Sequence, residues 1–324
     1  MPSYADAIRT YPGALNNDIG TYEKDNALFL KVFAGEVLTA FEETNVFKPL
    51  HLVRTITHGK SASFPATWKA TARYHTPGTP ILGSNQIKTG ERVITIDDLL
   101  IADVFIYNLD EAKNHYDVRQ IYSTELGRAL ARAFDTRLAR VAVLTARASA
   151  TITGAPGGTQ LKNSQYPTDG ELLANAAFNV QQILDEKDVP ENDRYLVLRP
   201  AQYYLLAQTT KVLNRDWGGS GAYADGSVLK VAGLTIIKSN HLPNDNYAGM
   251  EGERNNYAGD FTDTVAVAFH KSAFGTVKLM DLALEQTGRD FRVMYQGDMM
   301  VAKYAMGHGI LRPECAVEIS KAAS

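Results

Sequence analysis

Cysteine is almost absent: Cys315 is the one example in 324 residues, which excludes an intrachain disulfide and fits synthesis in a reducing cytoplasm. It lies in an apolar run and reads as a small core residue. No stretch approaches the roughly 20 apolar residues of a membrane span. Met1 to Tyr11 lacks the apolar block of a signal peptide, so the expectation is a soluble, unprocessed, intracellular product. A basic surplus is missing too. The net charge of −3 and pI near 6.2 argue against a protein whose main task is gripping nucleic acid, because neutralising phosphates takes cations, although a role beside DNA stays open.

The usual signatures of chemistry are equally scarce. The histidines at 51, 58, 75, 115, 241, 270 and 308 form no pair at metal-ligand spacing, and there is no Gly-x-Ser-x-Gly elbow. Gly154-Ala155-Pro156-Gly157-Gly158 continues into Thr159-Gln160 where a phosphate loop needs Gly-Lys-Ser/Thr. Gly307-His308-Gly309 lacks the third glycine and the helix of a dinucleotide site. Asp97, Asp98 and Asp103 have no complementary His or carboxylate cluster nearby and read as a turn and a strand edge. No catalytic residue, cofactor or metal is therefore expected. Three classes remain: an assembling structural protein, an enzyme whose site forms only in three dimensions, and a small-molecule-binding module.

What is present is organised around Val118 to Arg147, a run with no proline and one glycine, Gly127. Tyr122, Leu126, Leu130, Ala133, Phe134, Leu138, Val141 and Leu144 recur at spacings of three and four, which predicts one long helix with an apolar seam. Glu125, Arg128, Arg132, Asp135, Thr136, Arg140 and Arg147 fall on the other side and read as a solvated face, or as pairing residues between chains. Arg137 sits inside the apolar sector. Either its stem snorkels or it pairs with a carboxylate on another element.

Residues 1–24 are polar and turn-rich, with too few apolar positions to pack independently. From Asn26, Phe29, Leu30, Phe33, Val37, Ala40 and Phe41 predict an amphipathic helix. Ser63 to Tyr74 and Glu91 to Ile96 predict a long β-hairpin broken by Thr76-Pro77-Gly78-Thr79-Pro80. It carries Lys60, Lys69, Arg73, Lys88 and Arg92 against Glu91 alone, with sparse apolar residues: Phe64, Trp68, Tyr74, Ile81, Leu82 and Ile87. Two strands alone are marginal in water, so the hairpin either folds back on its own domain or projects onto a neighbour. Val93 to Tyr107 predicts one or two buried strands. Thr151 to Pro167 reads as a linker, and Thr168 with Glu171 as a capping box. Strands are predicted at Arg194 to Leu198 and Lys230 to Lys238, and a short helix from Pro200 to Ala207. The doubled Asn-Tyr-Ala-Gly at 246–249 and 256–259 reads as a loop coincidence. Further strands are predicted at Val265 to Phe269, Gly275 to Leu279, Leu282 to Gln286, Asp298 to Met306 and Ala316 to Ile319.

Six blocks in order, Ala27 to Phe41, Gly59 to Pro65, Val93 to Asp103, Asn114 to Arg119, Phe269 to Leu279 and Ala302 to Glu314, resemble the major capsid protein of short-tailed, T-seven-like phages of the autographivirus group. The resemblance runs from about Ala27 to Ile319 and is weak over residues 150–167 and 208–262. It implies an α+β protein of the Hong Kong 97-type major capsid fold. In those terms 1–57 is an N-terminal arm, 58–96 the extended loop, 97–167 a peripheral domain with spine helix 118–147, 168–259 the axial domain, and 260–324 the returning peripheral strands. It implies self-assembly into pentamers and hexamers of an icosahedral shell around double-stranded DNA, with a scaffolding protein and a portal protein as partners, assembly in the host cytoplasm, and no membrane. The residues expected at the subunit interface are Phe64, Trp68, Tyr74 and Pro77 on the hairpin, and Arg128, Arg132 and Arg137 on the spine. An encapsulin-type compartment, or an α/β enzyme, is the alternative.

Overall fold

The structure, a computed structural model, describes residues 45–81, 83, 87–109, 118–209, 230–286 and 293–321. The helix expected from Asn26, Leu82 at the hairpin tip and the glycine run at 218–221 lie outside them. The described chain forms two compact units. One takes residues 99–133 and 280–305, the other 45–98, 134–279 and 306–321. Three elements run from one unit into the other: helix α1 (Val118–Arg147) and the strands β12 (Phe274–Gln286) and β13 (Gly297–Ile310).

In the smaller unit, β4 (Leu100–Tyr107) pairs antiparallel with β13 from Gly297↔Tyr107 to Tyr304↔Leu100. The one or two buried strands expected over Val93 to Tyr107 are two in number but only partly buried: Val93 in the first is exposed, and β4 alternates over Leu100 to Val104, with Ile101 and Asp103 exposed, before Phe105 and Ile106 are buried side by side. Period-2 alternation marks a strand with one face toward solvent. Lys303 reaches Glu285 at 2.6 Å across this unit.

The larger unit is built on a six-stranded mixed sheet in the order β5 (Thr159–Lys162), β14 (Ala316–Ser320), β11 (Thr264–His270), β6 (Arg194–Leu198), β8 (Leu234–Lys238), β7 (Lys230–Val231). β11 and β14 thus share a sheet with β6. β11 lies between two partners and is buried almost throughout, which is why its sequence TVAVAFH is apolar without alternation. Lys230 to Lys238 is a hairpin rather than one strand, because Ala232 and Gly233 take positive φ and turn the chain. The break expected in β12 between Leu279 and Leu282 is absent. β1 (Leu52–Thr55) runs parallel to β12, Leu52↔Gly275 to Thr55↔Lys278.

Helix α2 (Gly170–Glu186) buries Leu173, Ala177, Val180 and Leu184 as its spacing predicts. Its N-cap is Asp169, not Thr168: the Asp169 carboxylate accepts from the N–H groups of Glu171 and Leu172 at 2.8 and 3.1 Å, while Thr168 Oγ1 donates back to Gln165 O. Helix α3 (Pro200–Ala207) starts at a proline, whose missing N–H costs nothing in the first turn.

The second half of α1 departs most from expectation. Leu138, Ala139, Val141, Ala142, Val143, Thr145 and Ala146 are all buried, and so is Asp135 on the side expected to be solvated. A helix apolar all round belongs in an interior. At its end Arg147 bonds both oxygens of Glu318, at 2.6 and 2.7 Å, and Glu318 is wholly buried in β14. Thr264 and Gln160 also donate to that carboxylate. The chain then turns so tightly that a Cβ on Gly158 would overlap the Ala146 carbonyl. Replacing Arg147 by Met leaves Glu318 buried without its cation. Urea unfolding of the unassembled subunit should then show a loss of about 3–5 kcal/mol, the usual cost of orphaning a buried charge, and a loss near zero would refute the pairing.

Candidate assembly interface

The hairpin is the feature most exposed to a neighbour. β2 (Ser61–Thr67) and β3 (Thr89–Thr95) pair antiparallel from Ser61↔Thr95 to Thr67↔Thr89, and Trp68 N donates to Lys88 O at 2.9 Å as the last rung. Beyond it residues 69–81 continue without a described ladder, turning at Thr76 to Thr79 around Gly78, whose φ is +89. Every one of residues 69–81 is exposed, among them Tyr74 and Pro77. Ile81, Ile87 and Val93 are large apolar side chains that also face solvent. Three large apolar side chains are thus exposed along this one two-stranded finger.

The root of the hairpin rests on its own subunit. Phe64 and Trp68 are half-buried and line a cleft of about 300 Å³ with Leu52, Ile152 and Leu311. Arg92 Nε donates to Thr151 Oγ1 at 3.0 Å, Lys88 Nζ to Thr153 O at 3.1 Å, and Arg54 Nη1 to Ser63 O at 2.8 Å. Lys69 pairs with Asp188. The root of the hairpin folds back on its own subunit, and residues 69–81 beyond it are exposed.

The foot is fixed by Asp97. Its carboxylate accepts from the N–H groups of Arg254 and Asn255, from Asn255 Nδ2, and from the Tyr257 hydroxyl. Burial pushes the Asp97 carboxyl up and these donors hold it down; burial pushes the Tyr257 phenol up strongly. Tyr257 in turn accepts from the backbone N–H of His308, and a Cβ on Gly307 would overlap Thr95 O, so strand β13 can lie against β3 only with glycine there. The repeated tetrapeptide gains a structural meaning. Its tyrosines each donate to a carboxylate, Tyr247 to Glu253 at 2.9 Å and Tyr257 to Asp97, and its ends meet where β9 (Asn246–Tyr247) pairs with β10 (Gly259–Asp260).

Of the spine residues expected at an interface, Arg128 bonds Glu125 of its own helix at 2.9 Å, and Arg132 is exposed. Arg137 is buried and pairs with Glu253 at 3.1 Å, the carboxylate on another element that its apolar position demanded. Arg140 and Arg147, expected on a solvated face, are structural. Arg140 bonds Asp245 at 3.1 Å and stacks on the Tyr247 ring at 3.6 Å. Asp97, Glu318 and Asp135 were missed as organising residues. A lone acidic residue in an apolar strand, as in Ala316 to Ile319, was the available signal for one of them. Among the described residues no group of three His, Cys, Asp or Glu side chains could hold a metal ion, and no helix is long and apolar enough to cross a membrane.

The fold built from these elements matches solved phage capsid structures. The capsid of Cyanophage P-SCSP1u is 48% identical, with a TM-score of 0.85 over 96% of this chain and 98% of that one. The mature capsid of bacteriophage PhiM1, at 20% identity and a TM-score of 0.74 over 90% and 91%, shares the fold. The class is therefore the phage capsid proteins of the Hong Kong 97-type α+β fold. Residues 63–320 match the Gp10A-like family, described as major capsid protein. The major capsid protein of Escherichia phage T7 is 36% identical over 315 residues, covering 90% of each chain. The chain belongs to the Gp10A-like family of phage major capsid proteins. Neither a compartment of encapsulin type nor an α/β enzyme is favoured by these likenesses.

Tyr257→Phe removes one donor from buried Asp97 and the acceptor of the His308 N–H. It should cost the subunit about 1–3 kcal/mol and bring forward protease cleavage at residues 96–99. An unchanged cleavage rate would show that the foot is held elsewhere.

Proposed function

We propose that this chain assembles with copies of itself into pentamers and hexamers that close an icosahedral phage head around double-stranded DNA. The observation that carries the reading is the hairpin with a locked foot and an exposed far half, in a chain of the major capsid family. Obligate contacts of this kind bury about 2,000–5,000 Å², and a projecting finger supplies area without enlarging each core. Because the finger is one surface and what it touches is another, the contact is heterologous, which is the kind that closes into rings. A mildly acidic subunit also suits a container whose DNA must later leave.

In this reading Tyr74 and Pro77 meet the adjacent subunit directly, and Phe64 and Trp68 carry the finger to it. Arg128 and Arg132 pair across chains. Arg137 serves the interface through Glu253, by fixing the loop around residue 253. The divisions 1–57, 58–96, 97–167, 168–259 and 260–324 act as arm, extended loop, peripheral, axial and returning peripheral segments. Assembly takes place in the host cytoplasm with a scaffolding protein and a portal protein. The protein works without catalysis or cofactor.

Deleting Pro77 to Ile81 should leave a subunit with an unchanged circular dichroism spectrum that fails to sediment as shells, and shells of normal size in negative stain would overturn the role given to the finger. Arg132→Glu should shift the assembly midpoint toward higher protein concentration, by more at low ionic strength than at high, since exposed pairs are screened. Equal midpoints for the two proteins at all salt concentrations would remove Arg132 from the interface.

A further inference from the structure

The interior holds a group of titratable side chains that the assembly surface does not use. His51 Nδ1 lies 2.8 Å from the Phe47 carbonyl oxygen, and His51 Nε2 lies 2.8 Å from Thr276 Oγ1. The same hydroxyl lies 2.8 Å from His308 Nδ1. A carbonyl only accepts, so Nδ1 of His51 carries the proton and, in the neutral ring, Nε2 is bare. The Thr276 hydroxyl then donates to that Nε2, and its oxygen accepts from Nδ1–H of His308. This leaves Nε2 of His308 bare as well. That nitrogen is buried and has no hydrogen-bond partner. With both imidazoles neutral, one proton order satisfies these three contacts.

The surroundings oppose a positive charge on either ring. The Phe274 ring stacks on His51 at 5.9 Å, and Phe134 of α1 meets His308 edge-on at 5.0 Å. Arg137 of α1 and His51 itself face His308, and burial holds that imidazole well below its ordinary basicity. His51 faces Asp135 of α1 and Lys271, and burial lowers it despite the carboxylate. Asp135 is engaged through Oδ2 by Val46 N at 2.7 Å and His241 Nδ1 at 3.2 Å, while its Oδ1 is buried with no hydrogen-bond partner among the described residues. Tyr257, with Asp97 behind it, caps the His308 backbone.

We propose that His51, Thr276 and His308 form an acid-released catch that holds residues 45–51, where the N-terminal segment joins the body. Phe47 is wholly buried there and faces the Phe269 ring at 6.3 Å, so opening the catch frees a large apolar anchor. A proton on His51 Nε2 turns that nitrogen into a donor, so the Thr276 hydroxyl must turn to His308 Nδ1 and the His308 proton must move to the buried Nε2, which has no partner among the described residues. A proton on both His308 nitrogens puts a buried charge beside Arg137. The sign follows from linkage. Both groups bind protons less readily in the closed state, so the catch is closed above the ordinary imidazole value near 6.5 and weakens as the pH falls below it. Each histidine adds up to about tenfold per pH unit to the open population.

Hydrogen exchange read by mass spectrometry on the full chain tests this, with protection corrected for the intrinsic exchange rate at each pH. Between pH 7.5 and 5.5 the protection of residues 46–55 should fall at least about tenfold, while that of α2 stays within about twofold. The His51→Gln, His308→Asn pair keeps an acceptor and a donor toward Thr276 but cannot titrate, and should hold residues 46–55 steady over the same range. Unchanged protection of 46–55 in the unaltered protein overturns the proposal. So does a parallel loss in α2, which would mean global unfolding, and so does an undiminished fall in the folded double variant. Should that variant not fold, the comparison of 46–55 with α2 in the unaltered protein decides alone.

Discussion

The Asp97 carboxylate, buried at the base of a finger whose far half is exposed, is the constraint on which the rest depends. Two strands of seven residues cannot by themselves give that finger a direction. Its direction comes from the donors gathered around Asp97: two backbone N–H groups, an amide and a phenol, all from the loop at 254–257. A carboxylate taken out of water is tolerated only when its lone pairs are answered, so this cluster forms as a whole or not at all. That property suits a part that must present its exposed half in one orientation.

Helix α1 carries the other long-range connections. Over eleven residues it sends three arginines to four partners: Arg137 to Glu253, Arg140 to Asp245 and Tyr247, Arg147 to Glu318. Three of these partners, Asp245, Tyr247 and Glu253, precede the donors for Asp97 in residues 245–257, so the finger's foot and the spine are tied to one segment. The basic stripe on the helix, which looks like solvated charge in one dimension, is for half its length the inner wall of the larger unit. Buried pairs of this kind contribute less net stability than apolar packing, and their value lies in excluding other arrangements.

At 20% identity the PhiM1 capsid subunit still shares the fold. What persists at that distance is an arrangement of elements. For a shell subunit the arrangement is the function, because no small site concentrates the chemistry and the working surface is the outside of the fold.

The sequence by itself determined the local elements. Val118 to Arg147 ends where its periodicity ends, Pro200 opens its helix and the hairpin pairs as its flanking turns require, because each depends on residues within a few positions of one another. Tertiary structure alone decided which charges are structural. Arg147 and Glu318 stand 171 residues apart, Asp97 and Tyr257 stand 160, and no pattern of neighbours announces either pair. The same holds for the hairpin, whose root and far half have similar composition and opposite surroundings. Burial is a property of what the rest of the chain brings alongside, and a residue's own neighbours in sequence do not carry that information.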